Sequence, residues 1–513
     1  MRSTMLRRAV TSGACGVLLL GGAAVGVAAP AAAAACDSSP SNEIAPADFD
    51  GDGAADIAVG MPYYADGSGA VELRGTKSPP LLLRSGDFGG GTGEGDRFGS
   101  AIAIGDLDQD GCADLVISAP AEGQSDVSDG AGNNEGQVHI LFGAVGGIDP
   151  RKAVTLPHDS SNLDQFGTAL SLTARTVVND TTHDLYVGAP SAEVGGQSSA
   201  GEVFRYRITP DPATRIKVTL REVRSQDSPG VPGAAESGDE FGSALATGLN
   251  GGALVGAPGE DVGSVRDAGA IWQLGVNSAG AATASQTWSQ DSPGVAGSPE
   301  TDDHFGAVIS ARINQAVVGV PDEDSGAKVD SGMIQTFVAN AAGTFSPDKP
   351  ITQDTAGVPG ALEAGDRFGA AVAVGAALTC QEAVEVAVGV PGEDIGTRAD
   401  AGGIALVPLQ WDFDCPATSV RQGSGLAGAA EAGDQVGSVL GLIRGHGIEE
   451  DYADRLLVGV PREDIGAQRD AGMVQPAKGA ITANGKTVAS LTYSKGYLLE
   501  NYYGAVLSTQ AGN

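Results

Sequence analysis

The chain has 513 residues, with 30 Lys and Arg against 64 Asp and Glu and a formal net charge of −34 at pH 7. This acidic balance argues against nucleic acid or an anionic lipid surface as a partner, and favours divalent cations or a basic ligand. With 78 glycines, 5% aromatic and 42% hydrophobic residues, the composition is typical of a turn-rich all-β protein rather than a disordered one.

Residues 1–35 resemble a targeting segment. Three arginines precede an apolar stretch from Ala14 to Ala29, and a run of small residues ends at Ala35. This order predicts a secretory signal that is too short to span a bilayer, and no later stretch is apolar enough to do so. An arginine pair also suggests a twin-arginine signal, but its flanking residues fit poorly. Cys36 directly after the small residues leaves a lipid anchor as a minor alternative to a released protein.

A repeated sequence motif then dominates the chain. It is built on Asp-x-Phe-Gly followed by Gly-x-Pro, and successive copies are 63 to 75 residues apart. The copies begin at Phe98, Phe166, Phe241, Phe305, Phe368 and Val436, with Tyr503-Gly504 as a seventh. The matching prolines are Pro120, Pro190, Pro258, Pro321, Pro391 and Pro461. Pro62 has no Phe-Gly before it and Tyr503 has no proline after it, so joining the two chain ends completes a seventh unit. The broken repeat therefore predicts a closed ring rather than a linear stack.

Each unit contains short β-branched and small apolar runs bounded by Gly, Asp and Pro, without helical periodicity. We therefore predict an all-β fold, a seven-bladed β-propeller of four-stranded antiparallel blades, as one domain over residues 36–513. The blades start near residues 98, 166, 241, 305, 368 and 436, and residues 500–513 plus 45–75 form the closing blade. Closure of the last blade by both termini would remove an exposed sheet edge. Small first-strand residues such as Ala101 and Ala103 suit the crowded centre.

Two segments place Asp at alternate positions around a glycine. Calcium takes six to eight oxygen ligands, and its loops use carboxylates at positions one, three, five and nine with a main-chain carbonyl at seven. The glycine at position six allows the sharp turn. Position twelve is Val59 or Ile117 within a predicted strand, so these are strand-loop-strand sites rather than EF-hands. The predicted ligands are Asp48, Asp50, Asp52, Ala54 and Asp56 in one loop, and Asp106, Asp108, Asp110, Cys112 and Asp114 in the other.

The alternative for these segments is a pair of metal-free, Asx-rich turns. Mutual repulsion among four clustered carboxylates favours two structural calcium sites instead. In other repeats the hairpin has degenerated: Asn179-Asp180 and Asp184 keep fragments, Asn250-Gly251-Gly252 resembles a tight turn, and residues 451–454 are too irregular to interpret.

Further acidic residues follow Gly-x-Pro and precede Phe-Gly, as in Glu260-Asp261 and Gly238-Asp239. Alternate loops of an up-and-down blade emerge on opposite faces, so these sets should share an upper face, away from the calcium hairpins. The upper face is a candidate ligand platform. The alternative is that these residues cap solvated turns.

Five cysteines occur, and Cys15 falls in the signal segment. The other four are an even number suited to an oxidising compartment. We expect the disulfides Cys36–Cys112 and Cys380–Cys415, with buried free thiols as the alternative.

The Asp-x-Phe-Gly motifs, the Gly-Ala-Pro triplets at 188–190 and 256–258, and the Asp-rich hairpins together resemble the FG-GAP repeat of the integrin α-chain N-terminal propeller. The resemblance covers essentially all of residues 36–513 and extends to secreted actinobacterial proteins. It implies a seven-bladed propeller with structural calcium on the lower face and ligands on the upper face. Two of the seven hairpins keep every ligand, and no Arg-Gly-Asp occurs.

These features predict a secreted, calcium-binding, monomeric propeller that binds an extracellular protein or glycan as an adhesion-type module. The alternative is a secreted hydrolase, esterase, phospholipase or glycosidase-like, because FG-GAP repeats also accompany a phospholipase D. No Gly-x-Ser-x-Gly or His-Glu-x-x-His motif occurs, so no catalytic residue is predicted. The scattered histidines are predicted to be surface or packing residues: His139, His158, His183, His304 and His446.

Overall fold

The computed structural model describes part of the chain between Cys36 and Gln510. The described residues are 36, 47–75, 79–88, 93–123, 135–158, 165–173, 182–248, 252–276, 283–380, 383–410, 415–443, 453–465, 467, 469–477, 491–492, 506–507 and 509–510. Several features predicted from the sequence lie outside them: the signal segment 1–35, Asn179-Asp180, Asn250-Gly251, Asp451, His446 and Tyr503-Gly504.

The described residues form seven blades, most of them four antiparallel strands, which confirms the predicted propeller. Each blade is named here by its Phe-Gly or Val-Gly residue, and the remaining one is the closing blade. The closing blade contains β1 (Ile57–Met61), β2 (Ala70–Arg74) and β3 (Leu81–Leu83). The Phe98 blade contains β4 (Ile102–Gly105), β5 (Asp114–Ala119), β6 (Gln137–Leu141) and β7 (Val154–Thr155). The Phe166 blade contains β8 (Leu170–Leu172), β9 (His183–Ala189), β10 (Glu202–Asp211) and β11 (Arg215–Arg224).

The later blades repeat the same antiparallel order, except for one short parallel strand at the edge of the Phe368 blade. The Phe241 blade contains β12 (Ala244–Thr247), β13 (Ala253–Ala257), β14 (Ala270–Leu274) and β15 (Gln286–Trp288). The Phe305 blade contains β16 (Val308–Arg312), β17 (Gln315–Val320), β18 (Met333–Ala339) and β19 (Phe345–Ile351). The Phe368 blade has five strands, β20 (Val372–Ala376), β21 (Val384–Val390), β22 (Gly403–Pro408), β23 (Thr418–Gln422) and β24 (Gly425–Leu426). The Val436 blade contains β25 (Val439–Ile443), β26 (Arg455–Val460), β27 (Met473–Pro476) and β28 (Leu491–Thr492).

Helical structure among the described residues is confined to short turns. The longest α-helical assignment is α1 (Tyr64–Gly67), in which Ala65 and Asp66 have left-handed φ angles of 51° and 60°. Two 3₁₀ turns cover Ser85–Phe88 and Pro150–Lys152. No helix in the described part of the chain is long and apolar enough to cross a membrane.

Two short C-terminal strands close the ring. The strand β29 (Val506–Leu507) pairs antiparallel with β1, with Val59 opposite Leu507. It is therefore the innermost strand of the closing blade, which confirms closure by both termini. The strand β30 (Thr509–Gln510) pairs in parallel with β25 and β4. This bridge merges the Val436 and Phe98 blades into one nine-stranded sheet, so the seven blades form six hydrogen-bonded sheets.

The hydrophobic core is divided among the blade interfaces. Seven clusters of buried residues each join one pair of adjacent blades, and together they run once around the ring. At the closing interface, Val59 and Met61 pack with Leu457 and Val474. Burial of a side chain of this size contributes about 1.5–3 kcal/mol, so each interface adds substantially to stability.

The recurrence of the Phe-Gly and Gly-x-Pro motif has a structural cause. Phe241 is fully buried and packs edge-on against Trp272, with ring centroids 5.3 Å apart. The following Gly242 donates its N–H to the carbonyl of Gly256 at 2.9 Å, so the two ends of the motif meet within one blade. A Cβ at Gly188 of the preceding blade would collide with the Gly242 carbonyl. Phe-Gly and Gly-x-Pro therefore recur because adjacent blades approach closely there.

Candidate metal centre

The first Asp-rich loop leads into β1. Carboxylate oxygens of Asp48, Asp50 and Asp56 lie within 4.8 Å of one another, and all three residues are buried. Asp48 accepts hydrogen bonds from the N–H groups of Gly51 at 2.7 Å and Gly53 at 2.8 Å. These bonds curl the backbone around the carboxylates.

The second loop joins β4 to β5 and follows the same plan. Oxygens of Asp106, Asp108 and Asp114 lie within 4.8 Å of one another. Asp114 is fully buried and accepts N–H bonds from Leu107 at 2.7 Å and Gly143 at 3.0 Å. Positions twelve, Val59 and Ile117, lie within β1 and β5, as predicted for these loops.

The two loops fit a hard cation in their chemistry. Asp56 Oδ1 and Asp106 Oδ1 are buried without a hydrogen-bond partner. Burial, followed by the repulsion of neighbouring carboxylates, raises the pKa of both Asp56 and Asp106 to about 7. A divalent cation would relieve both costs because it supplies a counter-charge to oxygens that lack a partner.

Not every predicted ligand joins these triads. Asp52 and Asp110, at position five, lie outside the two groups of converging oxygens. Asp52 instead accepts the N–H of Ala54 at 2.8 Å, and Asp110 accepts that of Cys112 at 2.9 Å. Position five therefore stabilises the turn through one oxygen, and its role as a ligand stays a prediction.

Backbone hydrogen bonds that the sequence did not reveal join the first loop to the Phe98 blade. Ala113 and Gly146 donate N–H bonds to the carbonyls of Asp48 and Asp50 at 2.9 and 2.8 Å. The predicted disulfide Cys36–Cys112 is confirmed, and it attaches position seven of the second loop to the chain that precedes the first. The two acidic loops are thus linked across the boundary between the closing blade and the Phe98 blade.

The second predicted disulfide, Cys380–Cys415, is also confirmed. It lies in the Phe368 blade, where Glu385 is close to both sulfurs. Glu385 is fully buried and accepts N–H bonds from Thr379 at 2.8 Å and Cys380 at 3.2 Å. Because both sulfurs are bonded to each other, this cluster stabilises the hairpin rather than a metal.

One functional residue escaped the sequence analysis altogether. Arg215, at the start of β11 in the next blade, forms ion pairs with Asp108 at 2.5 Å and Asp110 at 2.7 Å. It lies about a hundred residues after the loop, and nothing in the local sequence marks it. Only the reach of the β10–β11 hairpin brings it to the second loop.

The acidic loops of the upper face are largely structural. In four blades the aspartate after Glu accepts the N–H of the residue six positions later, at 2.9 to 3.1 Å. The accepting residues are Asp261, Asp324, Asp394 and Asp464. These contacts match the turn-capping alternative for this set.

The preceding glutamates make a second repeated contact. In each of these blades a buried glutamine, located before Phe-Gly or Val-Gly, donates its side-chain N–H to the glutamate that follows Gly-x-Pro, at 2.5 to 2.7 Å. The pairs are Gln226–Glu260, Gln290–Glu323, Gln353–Glu393 and Gln422–Glu463. The two loop sets therefore meet on one face, as predicted, and hold each other in place.

Burial, with repulsion from Asp239 as the next cause, raises the pKa of Glu260 from 4.5 to about 8. The folded protein therefore holds this proton more tightly than the unfolded chain does. The stabilisation that results is fully present below pH 4.5 and is lost as the pH rises through about 8. We expect the melting temperature in saturating calcium to fall over this window, and Glu260→Gln to flatten the fall. Glu193→Gln, the same change at an exposed glutamate, is the control. Equal pH profiles for Glu260→Gln and wild type would contradict this assignment.

The described histidines make structural contacts, as predicted. His139 is buried and lies 3.0 Å from the Thr155 hydroxyl. His158 stacks on Phe166, with ring centroids 4.6 Å apart. His183 contacts the carbonyls of Thr173 and Asp106. His304 pairs with Asp322 at 2.9 Å, and this contact raises the pKa of the imidazole.

Comparison with known proteins agrees with this architecture. The family model of the FG-GAP repeat matches residues 98–141, which span β4, β5 and β6 together with the second Asp-rich loop. Integrin alpha-IIb of Mus musculus is 34% identical over 198 residues, which cover 35% of this chain and 17% of that protein.

Two other relatives show the range of proteins that share such repeats. Integrin alpha-PS2 of Drosophila melanogaster is 31% identical over 32% of this chain and 11% of its own length. The phosphatidylinositol-glycan-specific phospholipase D of Mus musculus is 29% identical over 34% of this chain and 21% of its own length. The chain thus spans less than a quarter of the length of each of these relatives.

Proposed function

We propose that this FG-GAP repeat protein, whose propeller resembles that of integrin α chains, is a secreted calcium-binding module that binds an extracellular protein or glycan. The observation that carries the metal assignment is the pair of loops in which three carboxylates converge and one buried oxygen has no hydrogen-bond partner. Calcium prefers such oxygen-rich sites.

Two calcium ions would be held by the predicted ligand sets, with position seven contributing a main-chain carbonyl. The ion would cross-link its loop and neutralise its charge. Because the two loops are bonded to each other across the blade boundary, calcium there would stabilise the contact between the closing blade and the Phe98 blade rather than take part in chemistry.

Secretion is supported by the signal-like segment 1–35 and by two disulfides, which persist in oxidising compartments. The Cys36 sulfur is bonded to Cys112. A lipid on the same sulfur would exclude that bond, so we favour the released form. A monomer remains our expectation for the assembly state.

The ligand platform is the upper face. Its turns are fixed by the capping aspartates, while side chains at the loop tips are exposed, including Arg266, Lys328, Arg398 and Arg469. Rigid loops favour recognition because their backbone loses little conformational entropy when a ligand binds. The tips carry cations beside aspartates, so the platform suits a ligand of mixed charge better than a purely basic one.

A hydrolase remains the alternative, because one relative is named a phospholipase D. To separate the two, glycan and protein arrays would be screened in calcium beside an esterase and phosphodiesterase panel. We expect ligand binding without turnover. Arg398→Glu should weaken that binding, while the matched charge reversal Lys217→Glu on the outer strand β11 should not. Turnover abolished by a single substitution would favour the enzyme instead.

A further inference from the structure

The two Asp-rich loops differ in their surroundings. Arg215 reaches the second loop from the β10–β11 hairpin of the Phe166 blade, and its guanidinium carbon also lies 4.6 Å from the ring centroid of Phe142. Arg215 has a left-handed φ of 68°. Asp211 accepts N–H bonds from Ala213 at 2.8 Å and Thr214 at 3.1 Å, which pre-organises the hairpin tip. Arg215 is therefore delivered to the loop by a defined turn.

The ion pairs complete the bonding of two predicted ligands. Asp108 accepts the N–H of Asp110 at 3.2 Å through Oδ1 and pairs with Arg215 through Oδ2. Asp110 likewise accepts the N–H of Cys112 through Oδ1 and pairs with Arg215 through Oδ2. Calcium in this loop must therefore compete with a guanidinium for carboxylate oxygens.

Arginine also pairs with aspartates at or next to the start of the second strand in two other blades. Asp184 occupies the position equivalent to Asp114 and pairs with Arg205 at 3.2 Å and Arg207 at 2.8 Å. Asp454 pairs with Arg312 at 2.8 Å. Those hairpins lack the full ligand set, so arginine supplies the positive charge. The second loop is unusual because it keeps every predicted calcium ligand and also has an arginine.

We infer that Arg215 is a built-in competitor for calcium, so that the two loops bind the ion with unequal affinity: the Asp48–Asp56 loop tightly, and the Asp106–Asp114 loop weakly. Filling the second loop displaces the guanidinium from Asp108 and Asp110 and releases the hairpin tip. Calcium concentration is thereby coupled to the conformation of the Phe166 blade. This inference rests on the proposed calcium binding.

The test is a calorimetric titration of calcium into chelator-treated protein. We expect two steps for wild type. Arg215→Gln should strengthen the weak step by about tenfold, because a like charge no longer competes for the carboxylates, and should leave the tight step unchanged. Arg221→Gln, on the exposed part of the same strand, makes the same change in net charge and should alter neither step. Asp56→Asn should remove the tight step alone.

A second variant and a measurement on the wild type keep the test valid if Arg215→Gln misfolds. Arg215→Lys keeps the charge but loses the planar fork, and should give a weak step between those of wild type and Arg215→Gln. Hydrogen exchange at residues 211–216 of wild type should rise only across the weak step. Two equal steps in wild type, or equal effects of Arg215→Gln and Arg221→Gln, would overturn the inference. Absence of binding from every variant and from wild type would overturn the proposed function on which it rests.

Discussion

Removal of calcium with EDTA is expected to lower the melting temperature of the protein, and added calcium to restore it. An ion that binds only the folded state stabilises it by about 4 kcal/mol at a thousandfold excess over its Kd. Magnesium should restore less of the melting temperature than calcium does, because it demands octahedral geometry and loses its bound waters reluctantly. Thermal unfolding in EDTA, calcium and magnesium measures all three states.

The effect of Asp56→Asn on stability should have opposite signs in calcium and in EDTA. In calcium it should be less stable than wild type, because a ligand is lost. In EDTA it should be at least as stable, because burial raises the pKa of Asp56 to about 7 and the neutral amide avoids that cost. Asp354→Asn, a change at an exposed residue, is the matched control and should behave as wild type. A melting temperature of wild type that EDTA leaves unchanged would contradict the account.

Truncation at residue 500 should be the most damaging change at the chain ends. It removes β29 and β30, so β1 loses its inner partner and the Val436 and Phe98 blades lose their bridge. Each lost backbone hydrogen bond costs about 1 kcal/mol, and β1 becomes an exposed sheet edge. We expect a lower melting temperature and self-association, measured by thermal unfolding and light scattering.

Truncation at residue 510 is the control, because it retains both strands. A synthetic peptide of residues 501–513 should partly restore the melting temperature of the shorter chain by adding the missing strand. If the chains ending at 500 and 510 melted at the same temperature, closure by the termini would have no energetic role.

The ring was predictable because its signal is local and repeated. Each Phe-Gly and Gly-x-Pro pair lies within one blade, so their spacing survives in the sequence. The incomplete motifs at Pro62 and Tyr503 predicted that the termini share a blade, and the β1–β29 pairing confirms it. The ladder of β30 was not predictable, since two residues carry too little pattern to indicate a strand.

The candidate site was predictable only in part. The order of aspartates indicated each loop separately, but not that Ala113 and Gly146 would bond to the first loop. Arg215 depends on the length of a hairpin in another blade, which no local pattern encodes. The glutamine–glutamate pairs are likewise set by the register between loops 33 to 41 residues apart.

The most direct test of calcium binding in the two Asp-rich loops is diffraction from crystals grown in calcium, collected at a wavelength where calcium scatters anomalously. The account predicts a strong anomalous peak among the carboxylates of Asp48, Asp50 and Asp56, and a weaker one beside Asp106 that grows with calcium concentration. An anomalous difference map without a peak in either loop, at millimolar calcium, would contradict it.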